Sequence, residues 1–168
     1  MSDVSSHSSA RRSAPSRLRP LTLLTLLLLN VEFFIGMLVN LYVQIPVHPG
    51  TGSANYFLGA VQGIGWALAF SPLALFVHVV LGLLLGLASF TLIGFAIASR
   101  RLSWIIPSIL GWIGIVGAGF NGASFLNYGH DLSSLLMSTG FVLAIISYTL
   151  GFALASKREA HFEEASSS

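Results

Sequence analysis

The sequence predicts an all-α integral membrane protein, a four-helix bundle with a short outer interfacial helix. Composition, four apolar runs of spanning length, and a one-sided distribution of basic residues carry that prediction. Of the 168 residues, 54% are hydrophobic and 8% are charged, whereas a soluble domain carries roughly a quarter charged residues. A mean hydropathy of +0.82 and 17 glycines suit helices dissolved in lipid. This balance excludes a soluble enzyme, a nucleic-acid-binding module and a disordered chain. With no cysteine, disulfides, thiolate metal sites, iron–sulfur clusters and thiol chemistry are excluded as well.

The four runs are Leu21 to Ile45, Leu73 to Ala98, Trp104 to Leu126 and Leu132 to Ala155. Each exceeds the ~20 residues that cross a hydrocarbon core at ~1.5 Å per residue. Pro20 and Pro72 stand at first-turn positions, where a missing N–H costs nothing. Ser71 can cap the second span, Pro46 stops the first, and Pro107 falls in the first turn of the third. Between the first two spans, residues 55–70 carry Phe57, Ala60, Ile64 and Leu68 at helical spacing. This suits a short helix at the outer interface, with a re-entrant loop as the alternative.

The eight Lys and Arg residues fix the expected orientation. Arg11, Arg12, Arg17 and Arg19 precede the first span, Arg100 and Arg101 separate the second and third, and Lys157 and Arg158 follow the fourth. The other loops hold none. By the positive-inside rule this is a multi-pass plasma-membrane protein with both termini cytoplasmic. Its domain plan is a disordered basic tail over 1–20, a transmembrane domain over 21–156 and a second cytoplasmic tail over 157–168. The first run is too long for a signal peptide and offers no small-residue cleavage site, so an uncleaved anchor is expected.

One charged residue falls well inside a span, and intramembrane charge marks functional suspects. Glu32 shares an i+4 ridge with Gly36, Asn40 and Gln44, predicting a polar face that runs from mid-membrane to the outer edge. Its carboxyl either accepts a proton or ligand contact, or donates a hydrogen bond to a neighbouring helix. His78 lies ~7.5 Å below the outer boundary when counted from Leu73, and Asn40 and Asn121 fall at the same depth. Ser134 and Ser138 bracket that layer, Asn127, Tyr128, His130 and Asp131 close it, and His48 can fold over it. The plainer account is interhelical hydrogen bonding that holds the bundle together, with Asp131 and Ser133 as ordinary capping residues.

A b-type haem needs facing imidazoles, which His78 and His130 could supply. In general plan the chain resembles four-helix membrane b-type cytochromes. Those carry paired histidines well inside the helices at two depths, whereas here one candidate sits in a loop, and no haem is expected. A divalent metal on His48, His78, His130 and Asp131 is chemically acceptable, but no metal-ligand spacing supports it. A quinone or proton-handling site at Glu32 is a further alternative. Gly82 and Gly86 form a G-x-x-x-G step, which Gly114, Ala118 and Gly122 repeat on the third span. They predict packing inside the bundle, with a dimerisation face as the alternative. Tyr42, Tyr56 and Tyr128 are expected as outer interfacial anchors and Trp104 as the inner one.

Together, the run from Asn40 to Tyr56, His78 with its glycines, and Asn121 to Met137 resemble small four-span membrane proteins of unassigned function from actinobacteria. The resemblance implies the four-span plan and supplies no activity. No nucleophile–base pair, P-loop or dinucleotide fingerprint is present. The expected role is therefore a non-enzymatic accessory subunit or small-ligand-binding component. Its partners would be the bilayer and a membrane protein or a second copy, with no nucleic acid.

Overall fold

The computed structural model describes residues 6–45 and 55–167, with side chains described over 17–45 and 55–154. It comprises α1 (Ser6–Tyr42), α2 (Tyr56–Phe70), α3 (Leu73–Ser99), α4 (Leu102–Tyr128) and α5 (Asp131–Ser167). Four stretches are long and apolar enough to cross a membrane: Arg17–Tyr42, Leu73–Ser99, Leu102–Tyr128 and Asp131–Leu154. The chain is an all-α, four-span membrane protein in contact with the lipid bilayer, with α2 as a shorter additional helix.

The spans form a four-cornered bundle. α1 packs on α3 and α5, α4 packs on the same two helices, and α1 and α4 stand on one diagonal. α1 and α3 run antiparallel, with Gly36 against His78 and Gly82 against Glu32. One apolar cluster joins Leu18, Leu92, Ala96, Trp104 and Tyr148 at the end that carries Arg17, Arg19, Arg100 and Arg101. The Arg19 guanidinium lies 5.5 Å from the centre of the Phe152 ring. A smaller cluster of Val39, Ala67, Leu75 and Leu126 closes the opposite end.

The boundaries differ from the expected ones for identifiable reasons. α1 starts at Ser6 and α5 runs to Ser167, so both helices extend beyond the apolar runs. Once a span is helical, each added residue gains a hydrogen bond without a new nucleus, and the Lys, Glu and Ala content of 157–165 favours helix. Pro20 consequently lies inside α1, and Pro107 inside α4. Ser71 is the C-cap of α2, its hydroxyl donating to the Ala67 carbonyl, while Pro72 takes the N-cap of α3. Asp131 lies in the first turn of α5, where its carboxylate complements the helix dipole. His48 lies outside the described residues.

α2 packs inward through its small residues. Gly59, Ala60, Gly63 and Ala67 are buried, whereas Phe57 is 66% exposed. A Cβ on Gly63 would come within 2.9 Å of the Ala123 carbonyl oxygen, so the helix approaches α4 by backbone contact. Small residues permit that approach, while Trp66 packs against the Val39–Leu126 cluster. Trp104 is also displaced from its expected role as an interfacial anchor: at 1% exposure it fills the core.

Candidate functional site

The site begins with the repeat of α1. Leu18, Thr22, Thr25, Leu29 and Glu32 are buried at steps of four, three, four and three residues, and Val39 is buried seven residues further on, following a seam of ~3.5 residues per turn. Glu32 falls on this seam and is 1% exposed. The expected ridge does not stay on it: each i+4 step rotates by about 40°, which places Asn40 about 80° from Glu32, and Gln44 lies beyond the end of α1. Asn40 and Gln44 are both exposed.

Glu32 meets His78 of α3, with Oε1 2.9 Å from Nδ1. The approach is an ion-pair distance without a well-aligned hydrogen bond, and the second carboxyl oxygen, Oε2, has no hydrogen-bond partner among the described residues. Room for the pair comes from glycine on the facing helix. A Cβ on Gly36 would lie 2.9 Å from His78 Cε1, and one on Gly82 would lie 3.3 Å from Glu32 Oε1. Glu32-x-x-x-Gly36 on one helix and His78-x-x-x-Gly82 on its antiparallel neighbour are thus reciprocal halves of one arrangement. The depth count placed Glu32 beneath the layer containing His78, and missed that a glycine opposite each lets the two side chains meet. That spacing is the signal from which the pair could have been found.

The pair lies on the wall of a cavity of about 410 Å³ bounded by all five helices. Its wall is mostly aliphatic and aromatic, with Asn40 and Ser134 as further polar residues. Gly86 and Gly119 line it with no atom within 4 Å of where a Cβ would stand. The Gly82–Gly86 step, expected to pack against a helix, does so at Gly82, which faces Glu32 of α1, and opens space at Gly86. The step on α4 packs as expected: a Cβ on Gly114 would lie 2.6 Å from the Gly140 carbonyl oxygen of α5.

Of the remaining expected site residues that are described, the structure brings none into this cavity. The Asn121 amide donates to the Gly117 carbonyl of its own helix at 2.8 Å. Asn127 is buried where α2 crosses α4, beside Gly59. Tyr56 stacks on Tyr128 with ring centres 5.1 Å apart, and its hydroxyl is hydrogen-bonded to Ser124. His130 is exposed, its ring 6.0 Å from that of Tyr128, and Asp131 is exposed beside it. His78 and His130 thus occupy different surroundings and do not form a facing imidazole pair. Among the described residues, no three His, Asp or Glu side chains gather as a metal-binding group.

The arrangement can hold an apolar body against one polar anchor, the imidazole backed by a buried carboxyl. Cavities of this size with few convergent polar groups are typical of small-molecule sites. Comparison with known protein families, curated proteins and solved structures found no match to this chain.

Proposed function

We propose that this protein is a multi-pass plasma-membrane component that binds a small lipid-soluble ligand in the cavity beside Glu32 and His78, without acting as an enzyme. The observation that carries the reading is the buried Glu32–His78 contact at the wall of a mostly apolar cavity. An intramembrane ionisable pair is costly to retain and points to function, and the cavity gives this one something to act on. Gly86 and Gly119, which leave the space unfilled, support the same reading.

The orientation belongs to this proposal too. The grouping of Arg17, Arg19, Arg100 and Arg101 at one end supports cytoplasmic termini, with α2 at the outer surface. A cytoplasm-active reporter should work at Ser168 and fail at Gly52; activity at Gly52 would reverse the topology.

Native mass spectrometry of the purified full chain released from lipid nanodiscs tests the binding function. Wild type should retain a small lipid-soluble species that Gly86→Leu loses by filling the cavity. No retained species in wild type, or equal retention in both, would overturn the proposal.

A further inference from the structure

Residues of the cavity wall that are also exposed mark where the cavity opens. Phe57 and Val61 of α2, Leu83 of α3, and Val116 and Gly119 of α4 meet both conditions, and these three helices pack on one another. All five residues are apolar. Between α3 and α4 the opening is clear, since neither Gly86 nor Gly119 has an atom within 4 Å of where a Cβ would stand. Phe57 forms the rim on the α2 side, its ring centre 6.2 Å from that of Phe120 on α4. Tyr56 anchors α2 there by stacking on Tyr128 and by its hydrogen bond to Ser124.

Depth decides what this mouth faces. Counted from the turn at Arg100 and Arg101, Leu83 lies about 24 Å along α3 and Val116 about 21 Å along α4, at ~1.5 Å per residue. The two residues therefore stand at similar levels, each at least about 15 Å from either end of its helix. Such a position falls within the ~30 Å hydrocarbon core of a bilayer. The mouth thus opens onto lipid tails and not onto water. Asn40, the other exposed residue of the wall, stands apart, about 3 Å from the end of α1. Resting on the cavity reading above, we infer that the mouth between α3 and α4 beside α2 is a lateral portal, through which a lipophile dissolved in the bilayer interior enters the cavity without passing through water. The ligand class is a molecule that partitions into the hydrocarbon core, because a net charge at that depth is costly.

Photolabelling of the full chain in liposomes tests the route. Trifluoromethylphenyldiazirine dissolves in the bilayer, its sulfonated analogue stays in water, and on illumination each gives a carbene that inserts into C–H bonds. In wild type the lipid-soluble probe should label Leu85 and Ile115, which are buried residues of the wall. It should also label Leu87 and Ile97, which are exposed on α3 and lie outside the wall. The sulfonated probe should leave Leu85 and Ile115 unlabelled. After brief mixing with the lipid-soluble probe, Leu83→Ala, which widens the mouth, should raise the Leu85 and Ile115 labels above wild type, and Asn40→Ala should not. Labelling of Leu85 and Ile115 by the sulfonated probe, no gain in Leu83→Ala, or an equal gain in Asn40→Ala would overturn the portal and leave the cavity reading standing. Labels at Leu87 and Ile97 with none at Leu85 or Ile115 would overturn both. The comparison of the two probes needs no variant, so poor folding of Leu83→Ala does not remove the test.

Discussion

The α4–α5 seam and the α1–α3 face use the same small residues for opposite ends. At the seam, Gly114 and Gly140 face each other so closely that a Cβ on either would strike the other's carbonyl at 2.6 Å. Gly111 similarly accommodates the ring of Tyr148. On the α1–α3 face, Gly36 and Gly82 admit an imidazole and a carboxyl, while Gly86 meets nothing within 4 Å. Small-residue spacing therefore reports that bulk is absent from one stripe of a helix. Whether backbone, a functional side chain or empty space occupies that stripe depends on the partner helix.

The largest effect should come from closing the gap at the seam. Gly140→Val forces a side chain into the backbone of α4 and should cost about 3 kcal/mol, at the upper end for overpacked sites. Loss of the folded fraction in detergent unfolding would show it; near-wild-type stability would mean that the seam is loose.

Much of the fold was legible in the sequence. Apolar length gave four spans close to those of the structure, and the chain between the first two forms the expected short helix. The site was legible only in depth. Counting ~1.5 Å per residue places His78, Asn40 and Asn121 in one layer, but says nothing about rotation. Asn121 turned to its own helix, and Asn40, though off the seam and exposed, still reaches the cavity wall. Rotation follows the packing period, and α1 keeps a ~3.5-residue seam, not a four-residue ridge. In α2 the large residues carry the visible period, while the glycines and alanines make the contact.

The polar pair should give the next largest effect. His78→Ala removes the partner of a carboxyl that is 1% exposed, and should cost about 1–3 kcal/mol for the group left unsatisfied. Glu32→Gln, which keeps shape and an acceptor, should lose less. Thermal unfolding in one detergent compares them, and equal losses would show that the contact contributes only packing. Gly36→Ala should be milder still, about 1 kcal/mol, because its Cβ would press on His78 Cε1 from 2.9 Å. A shift of the His78 ring resonances in NMR should accompany it. His130→Ala should be the smallest, within about 0.5 kcal/mol as for surface sites, with no change in any retained ligand. Loss of a ligand on that substitution would place the site at the loop and away from the cavity.

The central claim, that one set of glycines closes the bundle while another holds a cavity open, is tested most directly by inserting the same side chain into both. Unfolding free energies of Gly114→Leu and Gly86→Leu, measured side by side in one detergent, should differ sharply. Gly114→Leu should lose about 3 kcal/mol by overpacking, whereas Gly86→Leu should stay within about 0.5 kcal/mol of wild type because its side chain enters free space. Equal losses at the two positions would contradict the account.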